Sequence, residues 1–192
     1  MSLIVGLTVL STMGFASVTD LKSSVKRTGE KSFALYLNGL STNVQIVIRD
    51  QEGHTLYKEQ LSNQDSFAKN FNLDKLAEGG YVLRIEDGSQ IKSIGMDVDG
   101  NAVIFNEEEV TYKPSTSIEE SKVTVAMSAM NGSELNVVIR DSRDELVFEE
   151  VVAEKGEGLN RTYDLSKISA GEYTFIFNSN GHTFIQPVNI RK

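Results

Sequence analysis

The sequence predicts an all-β chain folded as two tandem antiparallel β-sandwiches. Three observations carry this. Many short segments alternate apolar and polar residues with period two, as half-buried strands do. Gly, Asn and Asp clusters interrupt them at regular spacing, as in sandwiches. The whole pattern is also written twice within 192 residues, room for two small domains.

The repeat has two blocks. VQIVIRD at 44–50 aligns with LNVVIRD at 135–141, with Val47, Ile48, Arg49 and Asp50 identical to Val138, Ile139, Arg140 and Asp141. FNLDKLAEGGYVLRI at 71–85 aligns with YDLSKISAGEYTFIF at 163–177, pairing Leu73 with Leu165, Lys75 with Lys167, Gly79 with Gly171 and Tyr81 with Tyr173. A duplicated gene segment of this size can fold alone.

Taken along the chain, residues 1–16 (MSLIVGLTVLSTMGFA) carry no charge, and Gly14 and Ala16 place small residues before a cut at Ser17. That is the shape of a secretory signal; the alternative is a buried first strand. With the signal removed, no membrane insertion is expected. Residues 17–105 form the first expected sandwich and 106–192 the second. Strands are predicted at 33–38, 44–49, 55–60, 81–86, 90–98, 102–105, 123–129, 146–152, 173–178 and 183–190. In 44–49, Val44, Ile46 and Ile48 face one way, and Leu135, Val137 and Ile139 repeat this. Asp50 and Asp141 start turns, bonding the turn backbone through their carboxylates. Gly53 supplies the positive φ that closes the first turn, and Asp144 takes that place in the second. LDKLAEGG and LSKISAGE are too short for more than a turn or two of helix. Leu73 and Leu76, or Leu165 and Ile168, plug a sandwich end. Gly79 and Gly171 permit tight re-entry into the next strand. Tyr81 and Tyr173 start that strand and bond their hydroxyls back to the loop, as in the tyrosine corner of immunoglobulin-like folds. Residues 106–121 (NEEEVTYKPSTSIEES) read as a linker plus the opening strand of the second unit.

Charge and composition narrow the partners. The net charge is −8, and no basic patch exists to displace counterions from phosphates, so no nucleic-acid partner is expected. The absence of cysteine removes disulfides, thiolate metal sites and thiol nucleophiles.

The repeated unit resembles a known family. Val47-Ile48-Arg49-Asp50, Gly53, Leu56-Tyr57, Leu73, Leu76, Gly79 and Tyr81 carry the likeness, as do Val138 to Asp141, Val147-Phe148, Leu165, Ile168, Gly171 and Tyr173. They are similar to the C-terminal sorting domain of proteins exported by the type IX secretion system of Bacteroidota, and to related immunoglobulin-like modules of secreted proteins in that phylum. The resemblance implies two tandem immunoglobulin-like or fibronectin type III-like sandwiches. It also implies a periplasmic, secreted or cell-surface location in a Gram-negative bacterium.

Candidate chemistry is sparse. Asp97, Asp99, Asn101 and Glu108 occupy positions 1, 3, 5 and 12 of a calcium-loop pattern, and calcium takes six or more oxygens. Ala102 stands where that pattern needs Gly, and Asp99-Gly100 is also a two-residue hairpin turn. Calcium is thus the single candidate cofactor. His54 and His182 fall at non-equivalent turn positions and read as exposed turn residues. No nucleophile elbow, His-Glu-x-x-His or phosphate loop occurs, so no catalytic residue is assigned. Adjacent acids such as Glu149-Glu150 point to opposite strand faces. The expected function is a non-catalytic structural, adhesion or binding role toward a protein or glycan. The alternatives are a sorting signal in the second unit and a loop-assembled hydrolase or metal-dependent enzyme.

Overall fold

The computed structural model describes residues 8–11, 21–40, 43–130, 132–153 and 158–191, with backbone alone for 8–11. The expected leader cut before Ser17 lies outside the described residues. The chain divides into two compact units, Val18–Thr111 and a second formed by Tyr112–Lys192 with Met1–Ser17. Every described element is a strand. The first, β1 (Thr8–Ser11), pairs in the second unit.

The first unit holds β2 (Lys22–Gly29), β3 (Ser32–Asn38), β4 (Val44–Asp50), β5 (Thr55–Leu61), β6 (Ser66–Asn72), β7 (Gly79–Glu86), β8 (Gln90–Val98) and β9 (Val103–Tyr112). They form one sheet in the order β2-β3-β6 and another in the order β5-β4-β7-β8-β9. Phe33, Leu35, Leu37 and Phe71 of the first sheet share a core with Ile46, Ile48, Leu83, Ile85 and Met96 of the second. This is an immunoglobulin-like sandwich of the fibronectin type III kind. Residues 106–112, read from sequence as the start of a linker, continue β9. Their acidic run suits a solvated sheet edge, where charge discourages pairing with another chain.

The second unit repeats the plan with β10 (Ser115–Glu119), β11 (Lys122–Met127), β12 (Leu135–Asp141), β13 (Leu146–Val152), β14 (Leu159–Asp164), β15 (Gly171–Ser179) and β16 (His182–Ile190). Its sheets run β1-β14-β11-β10 and β13-β12-β15-β16. Fully buried Tyr163, Phe175 and Phe177 dominate its core.

The doubled Val-Ile-Arg-Asp string has a local cause. In both units the register to the next strand shifts immediately before the arginine, at Ile48/Arg49 and at Ile139/Arg140. A bulge of this kind bends the strand into its turn. The following aspartate then organises the turn. Asp50 Oδ1 accepts from the Glu52 and His54 amides at 3.0 and 2.9 Å. Asp141 Oδ1 accepts from the Arg143 and Glu145 amides at 2.8 and 3.0 Å. Gly53 and Asp144 close the turns with φ of 87° and 65°. The aspartate is therefore structural in both copies.

The Leu-x-x-Leu segments work the same way in each unit. Leu73 N–H donates to the Lys31 carbonyl, and Leu165 N–H to the Ser121 carbonyl, both at 2.8 Å. Tyr81 Oη donates to the Ala77 carbonyl and Tyr173 Oη to the Ser169 carbonyl, again both at 2.8 Å. Tyr173→Phe keeps the ring and leaves that carbonyl without its donor. The expected loss is about 1 kcal/mol, read as a fall of roughly 4–8 °C in the second unit's melting.

A second repeated device closes one flank of each sandwich. Lys69 of β6 pairs with Glu59 of β5 at 2.9 Å, and Arg161 of β14 pairs with Glu150 of β13 at 3.1 Å. A tyrosine hydroxyl donates to each of these carboxylates. It comes from Tyr57 on β5 in the first unit and from Tyr163 on β14 in the second. The ring facing each is a phenylalanine, Phe71 and Phe148 respectively. Burial, followed by the Glu150 hydrogen bond, raises the Tyr163 hydroxyl well above its ordinary pKa. It remains a donor at every physiological pH.

Candidate functional site

An open concavity lies at one end of the second unit. The β15–β16 hairpin turns through Asn180 and Gly181, with φ of 49° and 71°. Two consecutive positive φ values make the tight turn whose twist suits paired strands. Ser179 and His182 face each other across it. One cross-strand row, Val151-Asn136-Asn178-Thr183, spans all four strands of the sheet beside the turn. With Ser133 and Glu134 from the β11–β12 loop, these residues line an open groove of about 550 Å³.

Hydrogen bonds fix the groove's polar surface. Ser133 Oγ donates to Asn180 Oδ1 at 2.6 Å, tying the two loops together. Thr183 Oγ1 donates to Asn178 Oδ1 at 2.8 Å, leaving that amide's NH₂ group for other partners. Asn136 Nδ2 donates to Glu149 Oε1 at 3.2 Å. Asn136 Oδ1 and Ser179 Oγ are buried and find no hydrogen-bond partner among the described residues. Glu134 and His182 are its titratable side chains. The surface offers amides and hydroxyls, with no nucleophile, base and orienting acid in mutual contact.

The calcium-loop residues are placed separately. Asp99 Oδ1 accepts from the Asn101 and Ala102 amides at 2.8 and 2.6 Å, which makes it the cap of the β8–β9 hairpin. Those two bonds also hold its carboxyl below the ordinary value. Asp97 Oδ2 accepts from Asn106 Nδ2 at 3.3 Å. Glu108 pairs with Lys92 at 3.4 Å and accepts from the Ser23 hydroxyl at 3.0 Å. Asn101 enters through its backbone amide alone. The carboxylates of Asp97, Asp99 and Glu108 do not cluster.

A different trio does. Ligand atoms of Asp50, Glu52 and His54 lie within 4.8 Å of one another on the β4–β5 turn. His54 Nδ1 is 3.1 Å from Asp50 and 3.4 Å from Glu52. In the second unit Arg143 stands in the place of Glu52 and Glu145 in that of His54, and Arg143 bridges Asp141 at 3.2 Å and Glu145 at 2.8 Å. His182, by contrast, stacks on Phe184 at the groove rim.

The turn aspartates make a pH prediction. The Glu145 and Arg143 amides hold the Asp141 carboxyl below its ordinary value of 3.8. In that situation the unfolded chain binds more protons, so the contribution is present above 3.8 and is lost as pH falls through the lower folded value. Asp141→Asn keeps an oxygen acceptor for both amides and removes the titration. Its stability is expected to vary less with pH below about 4 than the parent's, as measured by urea unfolding across an acid series.

No curated protein matches the chain in sequence. Among solved structures, it is similar to the BSP domain of a biofilm-associated protein, with 15% identity, 89% of this chain covered and a TM-score of 0.31. The chain spans 29% of that protein's length. It is also similar to the chicken interferon gamma receptor alpha chain, at 13% identity over 91% of this chain and 100% of that one, with a TM-score of 0.36. A two-domain fibronectin type III segment of chicken tenascin gives 12% identity, 88% and 99% coverage, and a TM-score of 0.31. Residues 30–95, the body of the first unit, match the family described as the secretion system C-terminal sorting domain, so the resemblance read from the repeated unit holds for its first copy.

Proposed function

We propose that the protein is exported and works at the cell surface or in the periplasm as a non-catalytic tandem β-sandwich that binds a glycan or protein ligand. The open groove at the end of the second unit carries this reading. Its row of amides and hydroxyls suits an uncharged ligand rich in hydroxyl groups. Export is supported by the family match over residues 30–95 and by the uncharged opening segment. Immobilised neutral oligosaccharides are the direct probe. Retention that falls with Asn178→Ala, while the fold is unchanged, supports the reading; no retention on any of them argues for a protein ligand.

The runner-up reading is that a unit serves as a type IX sorting signal. From sequence this alternative role falls to the second unit, whereas the family match falls on the first. Fractionation with sequencing of both termini separates the readings. An exported chain keeping both units supports the binding module, and loss of the C-terminal unit on export supports the signal.

A further inference from the structure

We propose that the outer edge of β14 is a strand-acceptor site, closed in this chain by residues 8–11 and, once these are cut away, open to an extended uncharged segment of another polypeptide. The occupied edge is the starting observation. Thr8–Ser11 pairs antiparallel with β14 in continuous register, from Thr8 opposite Asp164 to Ser11 opposite Arg161. It thereby extends the β14-β11-β10 sheet by one strand.

β14 is suited to this because it lacks the proline, acidic run and register shifts found on other edges of the molecule, and its inward charge, Arg161, is paired with Glu150. β9 carries Glu107, Glu108 and Glu109, and β16 carries Pro187. β5 and β13 meet their neighbours through bulges, and β2 shifts register between Arg27 and Gly29. β14 contains no proline and pairs with β11 through six residues without a shift. Such an edge presents an unbroken row of backbone donors and acceptors, which give an added strand its affinity.

The charge state of the guest follows from the same residues. Arg161 is already paired with Glu150. Asp164 Oδ1 accepts the Ser166 amide at 2.9 Å. Neither calls for a charged partner across the edge, and the segment seated there, Thr8-Val9-Leu10-Ser11, has none. The inference concerns this edge alone and stands whether or not the groove binds a ligand.

Amide hydrogen exchange tests it on the full chain and on the chain beginning at Ser17. The probe is a synthetic peptide with the sequence of residues 6–13. In the Ser17 chain, exchange over 159–164 is expected to quicken at least roughly tenfold, as local protection is lost. Exchange over 66–72, the matching edge of the first unit, stays the same. Adding the peptide restores the slow exchange, and a peptide with proline in place of Val9 does not. Val9→Pro in the full chain opens the same amides by an independent route, which guards against a truncation that folds poorly. Equal exchange in the two chains, or no restoration by the peptide, overturns the proposal. So does protection of 159–164 in a peptide-free Ser17 dimer, which would make a second copy's own edge the occupant.

Discussion

Phe175→Ala is expected to lower the stability of the second unit by about 3–5 kcal/mol. The side chain is fully buried. Its ring lies 5.7 Å from Tyr163 and 6.0 Å from Phe177, with Tyr163 edge-on. Removing it breaks the run of ring contacts between Tyr163 and Phe177 and leaves a cavity between two sheets whose hydrogen-bonded backbones cannot collapse to fill it. For an independently folding unit of this size, a loss of that order consumes much of the total. Urea denaturation followed by a probe in each unit is the measurement. The loss should fall on the unit bearing Phe175, because the two cores share no residue. A midpoint unchanged in the second unit would show that its sheets are not packed through this ring.

Gly158→Ala is expected to cost about 2–4 kcal/mol, combining backbone strain with overpacking. Gly158 enters β14 with φ of 150°, where L-residues are strained. A Cβ there would also lie 2.8 Å from the Met127 carbonyl oxygen and 2.9 Å from that of Ser128. Both obstacles are backbone atoms and cannot swing aside. Gly171 isolates the first component, with φ of 151° and open space around the missing Cβ. Gly171→Val should therefore cost more than about 1 kcal/mol through strain alone. Gly158→Ala is expected to exceed it despite the smaller side chain. Thermal melts of the two variants check the order; equal losses would mean that the β11 end moves away freely.

Features set by one or two neighbouring residues were legible in the sequence. The positive φ at Gly79, Gly171 and Asp144, the aspartate-capped turns and the tyrosine hydroxyls returning to their loops are of this kind, and the duplication displayed each of them twice. β6 and β14 escaped notice for a shared reason. Lys69 and Arg161 sit on the inward rows of these strands and break the period-two alternation. Their acidic partners, Glu59 and Glu150, lie on other strands. The second half of β9, beyond the strand expected at 102–105, was masked by its three consecutive glutamates. The groove was invisible because Val151, Asn136, Asn178 and Thr183 meet only through three strand pairings. The Asp50, Glu52 and His54 trio was local, but Asp50 and His54 were read as ordinary turn residues and Glu52 was not singled out.

The crossed placement of Tyr57 with Phe71, and of Phe148 with Tyr163, bears on how twin neighbours avoid mistaken assembly. A hybrid joining β5 to β14 would bring two phenols to one flank. The reverse hybrid, β13 with β6, would leave Glu150 with no phenol at all. The second chimera forfeits a partly buried charge-assisted bond that both correct sandwiches keep, and the first crowds a second phenol against Glu59. The two copies therefore carry a means of telling their own strands from their sibling's while the chain is folding.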